Sequence, residues 1–222
     1  MISKTVTAIA IGLLGVMLVI TAWGWIQIPA GKLIPIHWGI SGEANGYAPK
    51  EIGLLIAPVI AAALTLLLAV VPHFEPRYTN LRRSSGAYGT VVIGFLAFFT
   101  GIHALAVAAA LGASFDMGRL VCIGVGILFA VIGNTFGKVR SNFFFGIRTP
   151  WTLTSERSWN RTHRVGGWAF VAVGVATALA GFFAPGLVAF IVLMGGLLVA
   201  VVGLFVYSYI VWRDDPDRVP RS

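Results

Sequence analysis

Six apolar runs, at 6–26, 52–72, 89–111, 118–136, 166–184 and 187–211, alternate with polar segments along the 222 residues. Each comes close to the about 20 residues that a helix needs to cross a bilayer core. In lipid every backbone polar group must be satisfied, so the pattern predicts an all-α polytopic membrane protein with six transmembrane helices. The first run follows Lys4. It is long for the apolar part of a signal peptide and no small-x-small cleavage site follows, so it reads as a retained span. The last two runs are separated by little more than Pro185-Gly186, which predicts a tight helical hairpin. The chain divides on this reading into a two-helix region, 1–88, and a four-helix region, 89–222.

Charge adds an orientation. At one end of the spans lie Lys4; Arg77, Arg82 and Arg83; Lys138, Arg140, Arg148, Arg157, Arg161 and Arg164; and Arg213, Arg218 and Arg221. Only Lys32, Lys50 and Arg119 lie at the other. The positive-inside rule then predicts both termini in the cytoplasm. Trp23 and Trp25 at the outer end of the first span, and Tyr207, Tyr209 and Trp212 at the inner end of the sixth, fit interfacial positions. Hydrophobic residues are 58% of the chain and charged ones 11%, against roughly 25% in a soluble domain, which excludes disorder. The net charge of +8 needs no direct nucleic-acid partner, because anionic membrane lipids suffice. Cys122 is the single cysteine and lies within an apolar run, where it reads as a packing residue.

The outer segment 34–50, IPIHWGISGEANGYAPK, carries Pro35, Gly39, Gly42, Gly46 and Pro49, which break regular structure. Asn45-Gly46 predicts a turn. His37 and Trp38 offer an aromatic face beside a group that titrates near neutrality. The alternative is an interfacial loop with Trp38 anchored at the headgroups. His37 has only Glu43 and Glu51 nearby, too few for zinc, so no metal site is expected.

The inner segment 142–168, NFFFGIRTPWTLTSERSWNRTHRVGGW, is basic and rich in Trp. Ahead of it Gly133 and Gly137 have a close-approach spacing, and Asn134 is placed to bond across to a neighbouring helix. Phe143-Phe144-Phe145 reads as an interfacial anchor, with Gly146 permitting a turn. Pro150 predicts an extended or turned Arg148-Thr149-Pro150-Trp151. Thr154 or Ser155 then caps a helix with Glu156 in its first turn. On that helix Arg157, Arg161 and Arg164 share one face; Trp159, His163 and Gly166 share a face roughly opposite. The basic face either lies on anionic headgroups or docks a cytoplasmic protein or an anionic ligand, with Arg148 presenting a planar fork. His163 with Ser158 and Thr162 has no carboxylate arranged to orient it, so no catalytic site is read.

His103 is the one His, Asp, Glu, Lys or Arg well inside a span. It is a functional candidate. Equally, it is a neutral histidine bonded to a neighbouring helix, helped by Thr100. No Asp or Glu lies within a span, which weakens a proton-coupled transporter.

The inner string resembles the SdpI family of bacterial multi-pass membrane proteins. The matching residues are Gly133-Asn134, Lys138, Asn142, Gly146-Ile147-Arg148-Thr149-Pro150-Trp151-Thr152-Leu153, Trp159, Thr162-His163 and Gly166-Gly167. The outer loop is similar to the segment commonly found ahead of it, through Pro35, His37-Trp38, Gly42, Gly46-Tyr47 and Lys50. The resemblance implies a non-enzymatic protein of the bacterial cytoplasmic membrane, without cofactor. It implies immunity to an extracellular membrane-active peptide toxin, or envelope signalling by sequestering a cytoplasmic repressor. Binding would then fall to the matched positions of the two loops. The alternatives are a small transporter or channel with His103 lining a path, and an accessory membrane subunit.

Overall fold

The computed structural model describes residues 3–39 and 42–218; Arg221, counted above for charge, lies outside them. Among the described residues six helices are long and apolar enough to cross a membrane. They are α1 (Lys4–Gln27), α2 (Lys50–Val70), α4 (Ser85–Ala110), α5 (Met117–Phe136), α7 (Glu156–Phe183) and α8 (Gly186–Arg213). Two short helices, α3 (Tyr78–Arg83) and α6 (Pro150–Thr154), lie between them at one end. A two-stranded antiparallel hairpin, β1 (Ile34–Trp38) and β2 (Ala44–Ala48), closes the other. We call these the motif end and the hairpin end. The protein is an all-α polytopic membrane protein with one small β element.

Helices α1, α2 and α4 pack together, as do α5, α7 and α8, and α4 meets α5 between the groups. The first group buries Met17, Ala61, Val92 and Leu96 in one apolar cluster. The tightest seam is α5 against α7, and its cause is in the sequence. A Cβ at Gly126 would lie 2.6 Å from the Gly174 carbonyl oxygen, and one at Gly133 would lie 2.7 Å from that of Gly167. Backbone therefore meets backbone along the seam. Lipid tails are as apolar as leucine, so close van der Waals packing of this kind is what holds such helices together. Gly137, the other half of the expected spacing, has nothing within 4 Å of its would-be Cβ. The seam uses Gly126 and Gly133, seven residues apart, instead.

The hairpin corrects the reading of the 34–50 segment as broken by its Pro and Gly. Pro35 and Gly46 lie within strands, and Asn45-Gly46 belongs to β2 and makes no turn. The chain reverses earlier, where Gly39 N donates to Glu43 O and Gly42 takes φ +82°. The reason is cross-strand chemistry. His37 Nδ1 bonds Asn45 Oδ1 at 2.6 Å, and a Cβ on Gly46 would lie 2.9 Å from the His37 Cβ.

The glycine seam makes a measurable demand. Gly126→Leu should lower thermal stability in detergent by about 1–3 kcal/mol through overpacking. Gly195→Ala, with open space around it, should leave the melting temperature nearly unchanged.

Candidate functional site

The motif end is a folded cap. After α5 the chain turns over Asn142, which is fully buried and makes four hydrogen bonds. Its Nδ2 donates to the carbonyls of Arg140 and Phe145, and its Oδ1 accepts from the amides of Phe144 and Phe145. Gly146 follows at φ +113°, and a Cβ there would collide with His163 Nε2. That nitrogen accepts from Ile147 N at 2.9 Å, which requires Nδ1 to carry the proton it donates to Trp159 O, also at 2.9 Å. Trp159 stacks on the imidazole with centroids 4.1 Å apart, and its Nε1 donates to Val139 O. Both nitrogens of His163 are thus committed to holding the turn.

Thr149 is extended, as the proline after it requires, and then caps α6. Pro150-Trp151 differ from expectation by starting a helix, because Thr149 and Thr152 close a reciprocal capping box. Thr152 Oγ1 also donates to Ile147 O. Thr149 Oγ1 reaches Ser208 on α8 at 3.0 Å, and Trp151 packs on Phe205 and Tyr209 of α8 at 4.7 and 5.1 Å. Ser155 caps α7 by accepting from Ser158 N. Its hydroxyl donates to buried Asp215 at 2.5 Å. Helix α7 then runs without a break into its span. Arg157, Arg161 and Arg164 are exposed on one face while Trp159 and His163 are buried.

The linker after α2, unassigned in the sequence, completes this cap. Buried Glu75 accepts from Arg77 N and from Phe143 N. Arg77 donates to Ser141 Oγ and Leu153 O, and Asn80 to Ser141 O. Phe145 turns inward to meet Tyr88 edge-on at 5.6 Å, so only Phe143 and Phe144 remain as exposed anchors. A Glu, an Arg and an Asn within a span-to-span linker were the visible signal for this role. The cleft between linker and cap, about 330 Å³, is lined by Arg77, Ser141, Arg157 and Asp215 among others. Two positions stand apart from the cap. Arg148 is exposed, with Nη1 on Phe143 O, and Asn134 faces outward on α5.

At the hairpin end Pro35 is buried, while Trp38 and Tyr47 border a cleft of about 600 Å³ together with Lys32, Glu43 and Phe115. Gly42 sits against Asp116, the cap of α5, so the hairpin tip touches the second helix group. Lys50 is 8% exposed. Its ammonium donates to the carbonyls of Trp25 and Ile28 at the end of α1, where the helix dipole also favours a cation. Arg119 does the same for α7, donating to Gly181 O and Phe182 O.

His103 is buried, and its Nε2 lies 2.9 Å from Thr21 Oγ1 on α1. The expected helper, Thr100, bonds Leu96 O on its own helix instead. Thr21 Oγ1 also reaches Leu54 O at 3.5 Å. That carbonyl is the one whose helical donor is missing, because Pro58 stands four residues on. His103 therefore belongs to a polar contact joining three helices.

Residues 138–208 match the SdpI/YfhL protein family, and residues 12–62 match a domain of unknown function, DUF1648. The 138–155 segment of the cap, α7 and most of α8 thus lie in a stretch that is similar to the SdpI family. It is 23% identical over 177 residues to Immunity protein SdpI of Bacillus subtilis (strain 168), a match spanning 79% of this chain and 83% of that one. No solved structure matches it.

The cap predicts a split between its residues. Asn142→Ala strands buried amides and carbonyls, each costing about 1–3 kcal/mol. Limited proteolysis should then cut the 138–155 segment much faster than in the unaltered chain. Arg148→Ala, at an exposed position, should leave the cleavage rate as it was.

Proposed function

We propose that this protein confers immunity to a membrane-active peptide, captured at the hairpin-end cleft, from the cytoplasmic membrane of a bacterium. The observation that carries the reading is the likeness to Immunity protein SdpI across most of both chains, joined to a cleft suited to a peptide. Trp38, Tyr47 and Phe115 supply amphipathic rings, and Lys32 and Glu43 supply one charge of each sign. Such a lining takes an amphipathic segment leaving the bilayer surface. Membrane lipids are the surrounding solvent, and the peptide toxin is the ligand.

The hairpin end faces outside and both termini lie in the cytoplasm. The charge bias supports this orientation, and two of the three opposing cations are committed to helix ends as Lys50 and Arg119. The two-helix region 1–88 carries the hairpin and the linker residues Glu75, Arg77 and Asn80, and the four-helix region 89–222 carries the rest of the cap. Signalling, where present, uses the exposed groups of the cap. Arg148 and the α7 basic face would meet a cytoplasmic repressor, while Trp151 and His163 hold the scaffold behind them.

Expression in a bacterium sensitive to such a peptide should raise the killing concentration. Replacing Trp38 and Tyr47 together by Ala should abolish most of that protection at equal membrane level. A loss of about 2 kcal/mol from a buried aromatic anchor corresponds to about thirtyfold in affinity. No protection from the unaltered chain against any such peptide, or full protection from the double variant, would overturn the reading. For orientation, Glu43→Cys should be labelled in intact cells by an impermeant thiol reagent. Arg161→Cys should need permeabilisation first; the reverse pattern inverts the topology.

A further inference from the structure

A second surface on α5 and α7 has the chemistry of a lipid site. Near the motif end a pocket of about 170 Å³ is bounded by Asn134 of α5, by Gly137 just after it, and by Arg164 and Trp168 of α7. It shares Asn134 and Val171 with an apolar groove of about 470 Å³ along the same seam. Gly126, Ala130, Gly174 and Ala178 line that groove. The two form one channel with a cationic, amide-bearing head and an apolar tail.

Among the described residues, the head carries a cation with no opposing charge beside it. Arg164 is exposed and makes no ion pair among the described residues, and no carboxylate lines its pocket. The cleft at Arg77 and Arg157 differs, being lined also by Glu156, Asp215 and Asp217. Trp168 is 75% exposed, the placement of an indole at headgroup level. The tail has the right length. From Asn134 to Gly126 the helix rises about 12 Å, against about 15 Å for the hydrocarbon of one leaflet.

We infer that this channel holds one anionic phospholipid of the leaflet at the motif end. Its phosphate accepts from Arg164 and from the Asn134 amide, and one acyl chain lies over the glycine seam. The chain fills a groove that small residues leave open, so the lipid also supports the α5–α7 contact. A partner helix could cover the groove too, but would not be ranked by lipid headgroup.

Native mass spectrometry of the purified full chain, with phosphatidylglycerol and phosphatidylcholine of identical acyl chains, tests this. One phosphatidylglycerol should be retained, with about fivefold preference over phosphatidylcholine, equivalent to about 1 kcal/mol for one interfacial cation. Arg164→Ala should remove the preference and Arg164→Lys restore part of it. Val175→Trp, filling the groove from an exposed position, should remove the retained lipid altogether. Arg148→Ala, at the same end but outside the channel, should change nothing. Equal retention of both lipids by the unaltered chain would overturn the site, and needs no variant to fold. So would an Arg148→Ala loss as large as that of Arg164→Ala, or unchanged retention in a folded Val175→Trp protein.

Discussion

A peptide group that loses its helical partner within a membrane cannot turn to water, and leaving it unmet costs several kcal/mol. Much of the polar chemistry in this chain answers that demand. Pro58 frees the carbonyl of Leu54, and Thr21 reaches it from α1 while meeting His103 from α4. The last carbonyls of α1 are taken by Lys50, and those of α7 by Arg119. The turn after α5 is closed by the four bonds of Asn142. Charged residues are only 11% of the sequence, and several stand where a helix ends or a helical bond is missing.

The same requirement changes the meaning of the motif string. Read as a linear segment, 142–168 is a polar loop free to bind. Folded, most of its distinctive residues are inside the cap. His163 holds Ile147, Thr152 holds Ile147 and Thr149, and Trp151 lies against α8. What remains for a partner is the outward set, Arg148, Phe143, Phe144 and the α7 arginines. Family resemblance therefore marks the scaffold more than the contact surface, and a binding experiment aimed at Trp151 would mostly report unfolding of the cap.

The spans were legible because each is long, apolar and bounded by local signals. Ser155 capping α7, and the opposition of Arg157, Arg161 and Arg164 to Trp159 and His163, follow from side-chain type and helical period alone. The hairpin was not legible. Its strands are five residues long and contain Pro35 and Gly46, and their register depends on His37 meeting Asn45 across the pair. Thr21 and Ser208 were missed for a related reason. Each is an ordinary residue locally and acquires its role only from a segment distant in sequence. The glycine seam shows both sides of this: small-residue packing was expected at Gly133, but its partner is Gly167 on another helix.

The two helix groups meet through α4 and α5 in the apolar layer and touch at both ends, by close packing at the hairpin end and by hydrogen bonds at the motif end. Gly42 rests on Asp116 at one, and Glu75, Arg77 and Asn80 engage 141–143 at the other. The hairpin-end cleft is lined from the hairpin and from the turn joining α4 to α5, so an occupant there touches both groups. The cap likewise spans both. A ligand can shift such an arrangement only by as much as it favours one setting of the groups over another. In the proposed reading, a peptide wedged between hairpin and α4–α5 turn meets that condition. A peptide resting on the hairpin alone would be held without any consequence at the cap. Immunity by capture needs only the second mode, whereas signalling requires the first.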